Sequence, residues 1–152
     1  MSVIQSANII IIGWNERSKK LIEILPAISP VKIIIIDHSI RDLPTFAEKV
    51  VHIRGNSMHD GVLQEAGIKQ AGLVFITADM HSTEHNSDSR SIISLLAIKS
   101  LNPSAITMVE ILSEANINNA KRAGADEVIY TSKIFANSVI RSFSQNSLEN
   151  QR

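Results

Sequence analysis

The run Gly13-Trp14-Asn15-Glu16-Arg17-Ser18 follows the apolar stretch Asn8-Ile-Ile-Ile-Ile12 and precedes an amphipathic segment. Strand, tight turn and helix in that order make the unit that holds the pyrophosphate of a dinucleotide. Such a unit uses three glycines: one for the turn, one for close approach of backbone to phosphate, one for packing helix on strand. Only the first is present, and Asn15 and Ser18 stand at the other two positions. The Cβ and amide of Asn15 hinder a diphosphate. Glu16 adds negative charge where phosphate would lie, and Arg17 can offset it. The free N–H groups of a helix start still favour an anion. The loop points to a ligand sensor or assembly domain sooner than to a dehydrogenase. A mononucleotide, another anion or no ligand at this loop are all left open.

Further candidates lie where apolar runs end. Asp37 closes the second run, where a carboxylate can accept hydrogen bonds from ribose hydroxyls. It can equally cap the turn that Asp37-His-Ser39 begins. Gly55-Asn56-Ser57 ends the third run and Thr77-Ala78-Asp79 the fourth. In a parallel sheet these ends open on one edge. Gly13, Trp14, Asn15, Glu16, Arg17, Asp37, Asn56, Thr77 and Asp79 are therefore expected to share one crevice. Trp14, the one tryptophan, is either a stacking surface for a ligand or a subunit contact.

Six strands are expected to position these residues: Asn8–Ile12, Lys32–Asp37, Val50–Arg54, Leu73–Thr77, Ile106–Glu110 and Glu127–Tyr130. Four contain nearly unbroken Ile, Val, Leu or Phe, as strands buried on both faces of a parallel sheet do. Helices are expected over Glu16–Leu25, stopped by Pro26, and over Leu43–Glu48, Asp60–Ala66, Asn86–Leu101, Ser113–Ala123 and Lys133–Ser144. Right-handed βαβ crossovers then give a single α/β domain, a Rossmann-like doubly wound sheet in the order 3-2-1-4-5-6. The ligand crevice falls between strands 1 and 4. In the last helix, Ile134, Val139, Ile140 and Phe143 either pack on the chain's own sheet or reach a second domain or subunit. The segment from Ser144 to Arg152 is polar and is expected to fray.

Composition closes several routes. The chain has 152 residues, 44% of them hydrophobic, enough for one domain with a core. Fifteen basic and fifteen acidic residues leave no excess to neutralise nucleic-acid phosphates, and aromatic residues for stacking on bases are only 4%. No apolar run approaches the roughly 18 residues of a membrane span, so direct insertion by this segment is not expected. Met1–Ala7 lacks the basic and apolar regions of a secretory signal. Cysteine is absent, which removes disulfides and thiol chemistry and is compatible with a reducing cytosol.

Catalytic constellations are also missing. His81-Ser-Thr-Glu-His85 spells an inverted zinc-protease pattern. That chemistry requires both histidines on one face of a regular helix, and here the pattern falls in a loop. Tyr130 is followed four residues later by Ile134, not by the lysine of a short-chain dehydrogenase. No Ser, His and Asp set lies on strand ends. The expectation is a non-enzyme.

The runs Asn8–Ser18, Gly55-Asn-Ser57, Leu63-Gln-Glu-Ala-Gly-Ile68 and Asn118-Asn-Ala-Lys-Arg-Ala-Gly-Ala-Asp-Glu-Val-Ile129 together resemble the RCK N-lobe, or TrkA-N domain. This is the cytoplasmic regulator of potassium channels and transporters, and the similarity covers residues 7–145, leaving a lead-in at 1–6 and a polar tail at 146–152. The resemblance implies a domain that pairs with copies of itself as a dimer or larger ring beneath a potassium-channel pore, at the cytoplasmic face of the membrane. Ligand binding would change ring geometry and move the gate, and the helices over 86–101 and 114–123 would be assembly surfaces. The family's C-lobe and pore have no counterpart in the sequence, so a channel fragment or a short regulator is expected. A separate nucleotide-binding transporter subunit is the alternative, and a nicotinamide-dependent enzyme a weaker one. No cofactor is certain; a nucleotide or Ca²⁺ is implied. Some relatives bind calcium near the ends of strands 4 and 5, and the resemblance places Glu110 on one ligand position. The others carry Thr77 and Leu112, with Asp79 two residues from Thr77 as a partial substitute. The competing role for Glu110 is as partner of an Arg or Lys at the strand end.

Overall fold

β-Branched runs with no polar alternation should bury both faces: the isoleucines at 9–12 and 33–36 do, while Phe75, Ile106 and Met108 stay partly exposed. The computed structural model describes residues 8–28, 30–44, 47 and 49–150. In chain order its elements are β1 (Asn8–Ile12), α1 (Glu16–Ile28), β2 (Ile33–Ile36), β3 (Val51–Ile53), α2 (Asp60–Glu65), β4 (Ala71–Ile76), α3 (Glu84–Leu101), β5 (Ile106–Ile111), α4 (Ile117–Arg122), β6 (Glu127–Tyr130) and α5 (Thr131–Glu149). The six strands form one sheet in the order β3-β2-β1-β4-β5-β6. All five pairings are parallel. The chain is a doubly wound α/β domain of the expected topology.

The register explains the burial. Ile9 to Ile12 lie level with Ile33 to Ile36 on one side and Leu73 to Ile76 on the other. Side chains alternate between faces. Ile9, Ile11, Ile33, Ile35 and Leu73 pack with Ile22 and Leu25 of α1. Ile10, Ile12, Ile34, Ile36, Val74 and Ile76 pack on the opposite face with Leu63 of α2, Leu95 and Ile98 of α3, and Ala120 of α4. Two helical layers thus clamp the central strands and hold their C-terminal ends in one row.

Element ends differ from expectation in ways the chemistry explains. α1 runs through Pro26 to Ile28. Pro26 lacks the N–H that would bond the Ile22 carbonyl and crowds that oxygen, yet the helix continues for two more residues. α3 starts at Glu84 because Thr83 caps it, its Oγ1 accepting the Asn86 N–H at 3.2 Å. The segment before α4 is a single 3-10 turn, Glu114–Asn116. The helix expected over Leu43–Glu48 falls partly outside the described residues.

α5 departs most. It begins at Thr131 and extends to Glu149, so residues expected to fray are helical. Neither proline nor glycine interrupts 131–149. No residue of α5 is buried. Packing of Ile134, Val139, Ile140 and Phe143 on the chain's own sheet is therefore corrected: they are 52–75% exposed. α5 lies outside both buried core clusters, and its apolar side chains project outward.

Candidate functional site

The site is assembled where β1, β2, β3 and β4 end. Gly13 turns the chain with φ +98°, and a Cβ there would lie 2.3 Å from Thr77 Oγ1. That oxygen in turn donates to the Ile12 carbonyl, which joins the ends of β1 and β4. A glycine is required at this corner for both backbone shape and space.

Asn15 then does something the sequence pattern did not reveal. Its Oδ1 accepts the N–H groups of Arg17 and Ser18, each at 3.0 Å. Its Nδ2 donates to Thr77 Oγ1 at 2.8 Å. Ser18, fully buried, closes the same turn: its Oγ accepts the Asn15 N–H at 2.9 Å and donates to the Asn15 carbonyl at 3.0 Å. The donors that would cradle a pyrophosphate at the start of α1 are thus met by the side chain that replaced the second glycine.

Asp37 locks the loop from the other side. Its Oδ2 accepts the Trp14 N–H at 2.8 Å, and its Oδ1 accepts from Ser39 N, Ser39 Oγ and Ile40 N at 2.7, 2.6 and 3.0 Å. Burial alone would push this carboxyl upward. The hydrogen bonds from Ser39, Trp14 and Ile40 outweigh it and hold the acid below its ordinary value. The capping role is filled, and the oxygens a ribose would seek already accept these bonds.

Arg17 turns away from the helix start. Its Nε donates to Glu110 Oε1 at 2.8 Å and its Nη2 to the Ala78 carbonyl at 2.7 Å. Glu110, at the end of β5 and 6% exposed, also accepts the Ala78 N–H at 2.8 Å and Thr131 Oγ1 at 2.9 Å. The role of arginine partner is thus the one the geometry shows. This donor set does not fit a calcium ion as it stands: a guanidinium already lies against the one matched carboxylate, and Leu112 brings no side-chain oxygen. Asp79 does not join Glu110. Its carboxylate faces Arg90 at 3.7 Å and accepts the His81 N–H at 2.9 Å. Among the described residues no three His, Cys, Asp or Glu side chains are grouped to hold a metal, His81 and His85 included.

All nine ligand candidates line one cleft of about 670 Å³ between the strand ends and α3. Asn56 uses its Oδ1 on the Met58 N–H at 2.9 Å to form the turn after β3. Trp14 packs against the α1 face of the core, with the Lys19 ammonium 5.5 Å from its ring centroid. Exposed Glu16 pairs with Lys19 at 2.9 Å, and that hydrogen bond and charge lower its carboxyl from the ordinary value. Three cations (Arg17, Lys19, Arg90) and three carboxylates (Glu16, Asp37, Asp79) line the walls. No net positive field awaits a polyphosphate.

The sequence reading missed the α3 wall. Ser87, Ser91 and Ser94 are buried at helical spacing beneath the cleft, Ser87 accepting the Asp79 N–H at 2.9 Å and Ser94 paired with Ser57 at 2.8 Å. Three serines at helical spacing, on the same α3 face as Leu95 and Ile98, were the available signal. Asp88 was missed as well. Fully buried on α3, it accepts Leu112 N, Ser113 N and Asn116 Nδ2 at 2.8, 2.9 and 3.0 Å, pinning the loop after β5.

A six-stranded parallel sheet with its cleft at the switch point between β1 and β4 defines a Rossmann-like domain whose first strand-to-helix loop is capped from within. The TrkA-N domain model matches residues 9–131, and the chain belongs to that family. It is 39% identical over 137 residues to YugO of Bacillus subtilis, named as a candidate potassium channel, covering 90% of this chain and 42% of that protein. It is 25% identical over 142 residues to the calcium-gated potassium channel TvoK of Thermoplasma volcanium, covering 91% and 40%. The chain thus spans about two fifths of these relatives. Among solved structures, the GsuK RCK domain superposes with TM-score 0.72 at 27% identity over 88% of this chain and 27% of that one. GsuK bound to ADP does so with TM-score 0.71 at 26% identity, over 97% and 35%. No helix among the described residues is long and apolar enough to cross a membrane.

Proposed function

We propose that this chain is a regulatory and assembly domain acting on potassium transport from the cytoplasmic face of the membrane, without turnover of its own. Copies associate, and a ligand in the cleft biases the geometry of the assembly and so the gate. The bias equals the ligand's differential affinity for two arrangements. The observation that carries this reading is α5: a 19-residue helix with no buried residue, displaying Phe135, Ile140 and Phe143 at 63–75% exposure on a TrkA-N domain. Apolar side chains grouped this way are the mark of a surface that another protein covers. The potassium-channel names of two relatives support the setting.

A nucleotide is the ligand class that the ADP-bound relative favours. In this chain the pyrophosphate cradle is self-capped, so the base and sugar side of the cleft carries more of the recognition than the loop does. A nicotinamide-dependent enzyme is disfavoured by the same cap, together with the hydrogen bonds already made by Asp37. A stand-alone transporter subunit differs from the first reading only in whether a pore is attached. The residues encoded upstream and downstream in the parent gene decide that.

Light scattering with a thermal-shift series of ADP, AMP, ATP, NADH and Ca²⁺ tests the proposal. A dimer or larger species whose size or melting temperature responds to one of them is expected. A strict monomer that oxidises NADH with a substrate would overturn it.

A further inference from the structure

One carboxylate joins the cleft to the exposed helix. Arg17 lines the cleft with its side chain one-third exposed and reaches inward to Glu110 Oε1. The other oxygen of Glu110 accepts the hydroxyl of Thr131, the first residue of α5, at 2.9 Å. No side chain caps the start of α5, and no α5 residue is buried. Among the described residues, Thr131 to Glu110 is the one side-chain hydrogen bond from α5 to the rest of the fold.

We propose that Arg17, Glu110 and Thr131 form a latch that ties the state of the cleft to the orientation of α5. With Arg17 in place, the buried carboxylate has its counter-charge and holds Thr131 against the end of β5. An anionic group entering the cleft, phosphate or carboxylate, competes for the Arg17 guanidinium. Glu110 is then buried without its cation, an arrangement that is unfavourable. Turning its carboxylate toward water relieves this and releases Thr131. α5 can then pivot at the Tyr130–Thr131 junction, since nothing else among the described side chains hydrogen-bonds it to the sheet. Both ends bias one two-state element, which is what coupling between sites requires. The latch deepens the regulatory reading and rests on it for its consequence, because only an α5 that meets another copy passes the motion on.

Hydrogen exchange of the ligand-free chain tests it, comparing the parent with Arg17→Gln, Thr131→Val and the double variant. Each single change is expected to speed exchange of the α5 amides over 135–142 roughly fivefold, the equivalent of one lost hydrogen bond. The double variant is expected to be no faster than either single one, because all act through the same link. Unchanged α5 exchange in Arg17→Gln, or effects that multiply in the double variant, would overturn the latch. If Arg17→Gln also loosens β1 and β4, Glu110→Gln replaces it; the same acceleration confined to α5 is expected, and its absence counts against the latch. Exchange is read at two protein concentrations tenfold apart. Protection that grows with concentration reports association, so loss of assembly and loss of the latch are seen separately.

Discussion

The carboxylate of Asp37 holds the backbone N–H of Trp14 at 2.8 Å, so the end of β2 fixes the loop that leaves β1. Three further donors from Ser39 and Ile40 complete its shell. Burial raises this acid and the hydrogen bonds, together stronger, lower it. A depressed folded value means that the stabilisation is fully present above the unfolded value of about 3.9 and is lost as pH falls through the folded one. Asp37→Asn is expected to flatten the acid limb of a stability–pH curve and to cost about 1–3 kcal/mol at pH 7. Urea melts from pH 3 to 7 read both. An unaltered acid slope would mean that another group sets it.

Asn15 both caps α1 and fills its anion cradle. Asn15→Ala should cost about 1 kcal/mol of stability, and Asn15→Gly only a few tenths, since glycine is a tolerable N-cap. Asn15→Gly also frees two N–H groups. By titration calorimetry it should bind ADP roughly tenfold tighter than the parent, the worth of hydrogen bonds to a charged group. Equal affinity would show that the cap does not limit phosphate.

Gly13→Ala meets two penalties, a left-handed backbone at φ +98° and a Cβ 2.3 Å from Thr77 Oγ1. A loss of about 1–3 kcal/mol is expected for the backbone alone. In a Thr77→Ala background the cost should shrink, because the steric part disappears. A thermal double-mutant cycle separates the two, and a cost unchanged by Thr77→Ala would place the penalty wholly in the backbone.

Asp88 is fully buried and meets two backbone N–H groups and one amide. Asp88→Ala leaves those donors unmatched and should cost about 1–3 kcal/mol, with exchange quickened at Leu112 and Ser113. Exchange that stays slow there would mean that the loop does not depend on it.

The sheet order was legible because short, unbroken Ile and Val runs bounded by turn residues suit strands buried on both faces, and the helices between them, with Gly13 at the first turn, point to the Rossmann order. The ring of site residues followed from that order, since parallel strands end on one edge. Which partners those residues take was not legible. Asn15 reads as an obstacle to phosphate in the sequence, whereas its amide oxygen in fact stands in for the anion. Arg17 and Glu110 are 93 residues apart, and no spacing rule pairs them. Asp88 lies on a helix whose serines and carboxylate give no simple apolar stripe. α5 misled for the opposite reason: its Ile and Phe residues suit a core, but none of them joins either buried cluster.

The outward face of α5 is the most direct place to test assembly. Sedimentation equilibrium of the parent and of Ile140→Glu with Phe143→Glu is the measurement. Both side chains are exposed, so the monomer's stability should hold to within about 0.5 kcal/mol. The parent is expected to sediment as a dimer or larger species and the double variant as a folded monomer. A parent that stays monomeric at every concentration, or a variant that associates as the parent does, would contradict the assembly role.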